Sequence, residues 1–206
     1  LKTLTGEIGA LGGSFTVGTN VEWGYFDQQR ALQQGTDPDQ TVLENFWEEY
    51  PSLLREEVRS ALGSFLFSQE EVEKKLGQLS GGERVRLALC KMFQARPNLL
   101  ILDEPTNHMD MAGREALEKM LQVFTGTVLF VSHDRYFIRQ VATGILAFEQ
   151  EGVIQYTCGY EEYLLKKPGT QAPAAIGKKT EAMVEKTKTQ SPTLADVFDK
   201  KTYYNP

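Results

Sequence analysis

The sequence predicts an α/β protein with a parallel core sheet, and three observations support this fold class. Two short, continuously apolar runs, at 99–102 and 128–131, are typical of strands that helices cover on both faces. A helical pattern at about 110–122 lies between them, so the order is strand, helix, strand, which defines a βαβ unit with a right-handed crossover. Further helical patterns flank the two runs, one ending at about residue 94 and one at 134–141. We therefore expect short parallel strands connected through helices.

The first 28 residues combine turn signals with short apolar patterns. The amphipathic stretch 1–8 indicates the end of a helix that Gly9 stops. The alternating stretch 15–17 predicts one strand and 21–26 a second, with a turn at 18–20 between them. Gln28 stands where the second strand ends.

Residues 37–95 predict an all-helical insert. Thr41 with Glu44 three residues later is the pattern of a capping box, and further apolar-periodic stretches cover 53–66 and 70–76. The sequence Ser80-Gly81-Gly82-Glu83 then begins a helix that runs to about residue 94.

After the second core strand, the chain predicts a small closing part. A short helix at 134–141 precedes a hairpin formed by 145–148 and 153–156, and a last helix covers 160–166. Beyond this point the composition shifts to Lys, Thr, Gln, Ala and Pro with few large apolar groups. We therefore expect one domain over 1–166 and a mostly disordered, low-complexity tail over 167–206.

Composition narrows the class of function. The 206 residues carry 22 Lys and Arg against 28 Asp and Glu, a net charge of −6, which argues against direct DNA binding. The two cysteines, Cys90 and Cys158, lack a metal-ligand pattern, so neither zinc nor a disulfide framework is expected. No apolar run approaches the roughly 18 residues of a spanning helix, and no leader pattern opens the chain. These features predict a cytoplasmic location with no membrane partner.

Two adjacent carboxylates, Asp103 and Glu104, follow the first buried strand. The carboxyl end of a strand is where open α/β sheets bind ligands. Side chains alternate in direction along a strand, so the two groups are expected to do different work, one on a magnesium-bound water and one on a reactive water. For a bare Asp-Glu pair, an acidic start to the turn 104–107 is an equally good interpretation.

The chain has only two histidines, and His133 directly follows the second buried strand. Adjacent parallel strands would then present Asp103, Glu104 and His133 at one sheet edge. A lone histidine at a strand end is more often a cap, but its coincidence with the acidic pair favours a site. His108 lies in the loop after Glu104, where a structural role is as plausible as a ligand role.

The 80–83 segment has two interpretations. Ser80 and Glu83 match a capping box, which needs no further function. Glycine at the first helical positions, however, costs about 1 kcal/mol each relative to alanine. The glycines at 81 and 82 allow close backbone approach, so bare N–H groups, the positive helix end and the Ser80 hydroxyl can meet an anion such as phosphate. We expect a phosphate-facing helix terminus.

Four motifs in order resemble the ATP-binding-cassette (ABC) ATPase domain, a P-loop NTPase-like fold. They are Gln28 after Gly-Tyr-Phe, LSGGE at 79–83, LLILDEPTNHMD at 99–110 and SHDR at 132–135. The resemblance implies that Gln28 is the Q-loop glutamine and that Ser80, Gly81, Gly82 and Glu83 form the signature motif. It further implies that Asp103 is the Walker B aspartate, Glu104 the catalytic glutamate and His133 the switch histidine, with Asp110 closing the D-loop region. ATP and Mg²⁺ are the implied ligands, the ion being held by Gln28 and, through water, by Asp103.

The subgroup that the motifs resemble is ABC-F, whose members are twin-cassette ATPases that act on ribosomes. EPTNH at 104–108, SHDRYF at 132–137 and GYEEYL at 159–164 carry this likeness. The helix sequence ERVRLAL at 83–89 is similar to a second, carboxyl-terminal cassette. The resemblance thus implies a sister cassette in the same parent chain, the ribosome as partner, and a role in translation or antibiotic resistance.

One departure from the family pattern is large. The Gly-rich phosphate loop ending Gly-Lys-Ser/Thr is absent, and LKTLTGE at 1–7 is similar to the helix that follows that loop. We therefore expect a cassette cut just after the phosphate loop, without its first strand, that binds ATP poorly by itself. Two alternatives stay open, the ATPase subunit of a transporter and a non-catalytic interaction module.

Overall fold

The computed structural model describes residues 1–27, 31–32, 37–149 and 152–167. Three parallel strands form its core sheet in the order β1, β2, β3: Trp23–Asp27, Leu99–Asp103 and Thr127–Val131. The strands are in register at their carboxyl ends, where Asp27 lies opposite Asp103 and Asp103 opposite Val131. The predicted α/β class with a parallel core sheet is confirmed.

The amino-terminal segment is less regular than its pattern predicts. Residues 1–5 form a single turn, in which the amides of Leu4 and Thr5 donate to the Leu1 carbonyl, and no helix extends to Gly9. Gly6 adopts a φ of +77°, a left-handed conformation that ends this turn. The strand predicted at 15–17 is wrong, because this stretch has no pairing partner in the described residues and its apolar side chains are exposed.

The helical insert follows the sequence prediction over most of its length. Helix α1 spans Val42–Glu49, α2 spans Arg55–Ser64 and α3 spans Gly81–Gln94. Thr41 caps α1 with the predicted capping box, and its hydroxyl accepts from the Glu44 amide. The fully buried side chains of α1 and α2 are Val42, Phe46, Val58 and Leu62.

The stretch 70–76 differs from the predicted helix. It contains the short 3-10 turns Glu71–Glu73 and Leu76–Gln78. The Lys74 carbonyl accepts from the Val42 amide, and the Leu76 amide donates to the Gln40 carbonyl. Because these backbone groups bond to the strand-like start of the insert, they are not free to continue a helix.

A βαβ unit carries the centre of the core. Helix α4, Met111–Val123, connects β2 to β3, and helix α5, Arg135–Val141, follows β3. Leu100 and Leu102 of β2 are fully buried, as predicted, but β3 is only half-buried and its Val131 is 45% exposed. In the described sheet β3 has a neighbouring strand on one side only, which explains the difference.

The chain divides into two compact units, the first ending at Val141 and the second beginning at Ala142. In the second unit, β4 (Ile145–Glu149) pairs antiparallel with β5 (Gly152–Tyr156), and α6 (Tyr160–Lys166) follows, as predicted. The predicted tail lies outside the described residues beyond Lys167. None of the described helices combines the length and apolar character that crossing a bilayer requires.

Candidate functional site

The carboxyl edge of the parallel sheet brings three predicted residues together. Asp103 is the last residue of β2, and Glu104 follows it with a φ of +48°. The Glu104 amide donates to the Val131 carbonyl at 3.0 Å, so this residue is tied to the end of β3. A left-handed backbone costs a non-glycine residue on the order of 1–3 kcal/mol and is concentrated at functional positions.

The Glu104 carboxylate contacts His133 across this edge. Its Oε2 accepts from the His133 backbone amide at 3.2 Å, and its Oε1 lies 3.3 Å from His133 Nε2. Oε1 is buried, and no hydrogen bond to it is formed within the described part of the chain. The His133 ring is 93% exposed, whereas the Glu104 side chain is 18% exposed. A largely buried carboxylate oxygen with an unused acceptor site can bind a water, and an exposed imidazole beside it can reach a ligand.

Asp27, at the end of β1, adds a further carboxylate to this edge. The Tyr25 hydroxyl donates to Asp27 at 3.3 Å, and Lys2 Nζ lies 3.6 Å from the same Asp27 oxygen. Burial, followed by the charges of Asp27, Glu7 and Asp103, raises the pKa of Tyr25 to about 12. Sequence reasoning missed Asp27, although its position immediately before Gln28, one residue beyond the predicted strand, was a usable signal. Gln28 itself lies outside the described residues.

The described side chains at this edge fit a magnesium ion only when a nucleotide supplies further oxygen ligands. Among the described residues no three His, Cys, Asp or Glu side chains are grouped so that they could hold a metal ion. Magnesium commonly takes one or two protein carboxylates and completes its shell with water and phosphate oxygens. Asp103 therefore suits an ion that phosphates help to hold, and the described residues do not suit an ion that the protein holds alone.

The start of α3 forms the predicted capping box. Ser80 Oγ accepts from the Glu83 amide at 3.3 Å, and the Ser80 amide donates to Glu83 Oε2 at 2.7 Å. The other Glu83 oxygen accepts from Lys74 Nζ at 2.8 Å. Burial alone would raise the pKa of Glu83, but the hydrogen bonds from Lys74 and Ser80 outweigh it and lower that pKa to about 2. Both Glu83 oxygens thus accept hydrogen bonds from groups of the protein itself.

The two glycines of this terminus have different structural reasons. A Cβ at Gly82 would lie 2.8 Å from the His108 carbonyl oxygen, so the loop after Glu104 rests directly on the helix start. At Gly81 the nearest atom is a Leu32 methyl at 3.6 Å, an ordinary contact. Packing of the chain on itself therefore accounts for Gly82 without a ligand, whereas no contact with the residues that the structure describes requires glycine at position 81.

Asp110 closes the same loop and caps α4. Its Oδ1 accepts from the Gly113 amide at 2.9 Å, and its Oδ2 lies 3.9 Å from Arg86 on α3. The structure thus gathers the predicted residues into two groups, Asp103, Glu104 and His133 at the sheet edge, and 80–83 with 108–110 at the start of α3. Sequence reasoning missed Arg86, whose signal was a cation within the apolar pattern of α3.

Comparison with known proteins is consistent with this geometry. Residues 4–107 match the family model described as ABC transporter, and the chain belongs to that family. It is 40% identical over 202 residues to the ATP-binding protein Uup of Escherichia coli, covering 92% of this chain and 30% of that protein. It is 36% identical over 173 residues to ABC transporter F family member 2 of Arabidopsis thaliana, covering 84% of this chain and 25% of that protein. The chain therefore spans less than a third of either relative.

A solved structure shows the same fold. It is a dimeric, post-hydrolysis ATP-binding cassette bound to ADP and Pi, 22% identical, with a TM-score of 0.52 over 66% of this chain and 63% of that one. The predicted ABC cassette fold and the likeness to ABC-F proteins are confirmed.

Proposed function

We propose that the protein carrying this chain is an ABC-F type ATPase that hydrolyses ATP at the carboxyl edge of the parallel sheet. The observation that carries the proposal is the Glu104 carboxylate, held beside His133 with one buried oxygen unbonded within the described residues. Family membership and the ATP-binding relative support the choice of ATP as substrate.

Each residue at the edge has a proposed role. Glu104 polarises the attacking water through its free oxygen, and His133 steadies the γ-phosphate as charge develops in the transition state. Mg²⁺, held by Gln28 and through water by Asp103, would supply neutralisation of the phosphate charge.

The start of α3 is proposed to serve the nucleotide of a sister cassette. Ser80 presents its hydroxyl and Gly81 its backbone amide at the positive end of a 14-residue helix, which suits a phosphate. Glu83 and Gly82 act by holding that terminus in place, and Asp110 by placing the loop beside it. The proposed pairing of the two cassettes is head to tail, and the dimeric state of the solved cassette supports a pairing of two cassettes.

The ribosome is the proposed partner and the cytoplasm the proposed location. Both rest on the likeness to ABC-F proteins, and a role in translation or antibiotic resistance follows from the same likeness. Closing around ATP and opening after hydrolysis would be the movement that the ribosome senses.

The test combines turnover with cosedimentation in the full-length protein. We expect magnesium-dependent ATP hydrolysis, and sedimentation with ribosomes that differs between ATP and ADP. No hydrolysis with Mg²⁺ present would overturn the enzymatic proposal, and equal absence from the ribosome pellet with either nucleotide would overturn the partner.

A transporter ATPase subunit is the second candidate. It needs a membrane partner that docks on the helical insert, and a groove of about 600 Å³ between β1, α1 and α3 is the observation in its favour. Side chains on its wall include Tyr25, Tyr50 and Lys91. Recovery of the full-length protein in a membrane complex rather than with ribosomes would select this candidate.

A further inference from the structure

Arg86 is a buried cation that the proposed reaction does not use. It lies on the inner face of α3 and is 8% exposed. Its guanidinium carbon stands 5.3 Å above the ring of Phe67, and its Nε has no hydrogen-bond partner in the residues that the structure describes. Burying a guanidinium without compensation is costly, so its surroundings should show what it holds in place.

Two carboxylates from different elements flank this guanidinium. Nη2 lies 3.9 Å from Glu71 in the 3-10 turn of the insert, and Nη1 lies 3.9 Å from Asp110 at the start of α4. Each carboxylate also bonds to a backbone amide of its own segment, Glu71 to Ser68 and Asp110 to Gly113. Arg86 therefore links three elements electrostatically, and each partner is anchored in its own backbone.

Two glycine contacts independently show that these elements meet closely. A Cβ at Gly113 would lie 2.8 Å from Asp110 Oδ1 and 3.4 Å from Arg86 Cδ. A Cβ at Gly82 would lie 2.8 Å from the His108 carbonyl oxygen. The loop that ends at Asp110 is thus seated on α3 at Gly82, and the first turn of α4, which follows the loop, contacts Arg86 at Gly113.

The same loop begins at the proposed catalytic glutamate. The Asn107 amide donates to the Glu104 carbonyl at 3.3 Å, and the Met109 amide donates to the Thr106 carbonyl at 3.3 Å. Two consecutive turns therefore connect Glu104 to the segment that rests on α3.

We propose that Arg86 is a positioning residue that fixes the loop 104–110 against the start of α3. It fixes the position of Glu104 relative to the helix start at Ser80. The water site beside one nucleotide and the phosphate contact to the sister cassette's nucleotide therefore stay aligned. The consequence for turnover rests on the proposed function, whereas the anchoring of the loop does not.

The anchoring is tested by hydrogen exchange in this chain. In Arg86→Met, amide exchange at 109–113 should speed up, because the Asp110–Gly113 bond loses its electrostatic support. Arg86→Lys should stay nearer to the wild type. Arg59→Met is the matched control, because it breaks an ion pair with Glu73 in the insert without touching Asp110. Exchange at 109–113 that is as slow in Arg86→Met as in the control would overturn the proposal.

The effect on catalysis is measured in the full-length protein. We expect Arg86→Met to lower kcat about 100-fold with a nearly unchanged KM for ATP, since a small misplacement affects the transition state more than ground-state binding. Arg86→Lys should restore much of the rate. Asp110→Asn keeps a helix cap but removes the charge, and its effect should not add to that of Arg86→Met.

The outcomes separate the two proposals. If the wild-type protein hydrolyses no ATP, the proposed function fails and the exchange experiment still decides the anchoring. If the wild type hydrolyses ATP and Arg86→Met keeps its kcat, the positioning role is overturned. Should Arg86→Met not fold, Arg86→Lys and Asp110→Asn decide, and additive losses in kcat for that pair would contradict the proposal.

Discussion

At the scale of residues, the adjacent glycines at the start of α3 show how one pattern can have two causes. Gly82 is required by a backbone oxygen 2.8 Å from the position of its missing Cβ, whereas a Cβ at Gly81 would make only an ordinary contact with Leu32 at 3.6 Å. Sequence reasoning assigned both to ligand approach, because a contact with a loop 26 positions away has no local signature.

Alanine substitutions should separate the two glycines. Gly82→Ala is expected to lower the free energy of unfolding, because neither the helix backbone nor the His108 carbonyl can move freely. Gly81→Ala should leave stability unchanged or raise it by up to about 1 kcal/mol, the helix preference of alanine. Urea denaturation of this chain measures both, and equal losses would contradict the distinction.

Lys74 and Lys75 are neighbours with unequal roles. Lys74 binds the largely buried Glu83, whereas Lys75 binds Asp39 in an exposed ion pair. The pKa of Glu83 lies near 2 in the folded chain against an ordinary value of 4.5. Its ionised form therefore stabilises the fold above about pH 4.5, and this contribution is lost as the pH falls toward 2.

Removing each lysine tests that linkage. Lys74→Met should lower Tm at neutral pH more than Lys75→Met does, because exposed ion pairs contribute little. The difference between the two variants should narrow as the pH is lowered toward 2, where Glu83 becomes protonated. Melting curves across this range measure it, and a difference independent of pH would count against the assigned ion pair.

At the scale of elements, local sequence patterns predicted the helices, turns and hairpin that depend on contacts between residues close in sequence. The capping boxes at Thr41 and Ser80, the βαβ order and the closing hairpin all follow from spacing and turn chemistry. The strand predicted at 15–17 did not form, because a strand needs a pairing partner. The helix predicted at 70–76 did not form, because backbone groups in this stretch bond to a distant segment instead. Arg86 was missed for the same reason, since its partners Glu71 and Asp110 lie far away in sequence.

The two apolar strands should respond differently to truncation. Leu102→Ala in β2 removes a fully buried side chain and should lower the free energy of unfolding by about 2–5 kcal/mol. Val131→Ala, at the exposed end of β3, should change it by no more than about 0.5 kcal/mol. Chemical denaturation of both variants measures this, and a large loss for Val131→Ala would mean that β3 is covered.

At the scale of the whole molecule, one loop connects the sheet edge to the start of α3. Parallel register brings Asp103, Glu104 and His133 together, as the strand ends predicted, and the loop 104–110 connects them to α3. The part that each of these residues takes in a reaction stays a prediction. The structure adds the left-handed turn at Glu104 and the buried oxygen that give the edge a defined geometry.

The central claim is that Glu104 activates the water that attacks ATP. The most direct measurement compares Glu104→Gln with Glu115→Gln, an exposed position on α4, in the full-length protein. Glu104→Gln should bind ATP as the control does in equilibrium dialysis, yet hydrolyse it at least about 100-fold more slowly, the usual contribution of a positioned general base. Turnover by Glu104→Gln equal to that of Glu115→Gln would contradict the claim.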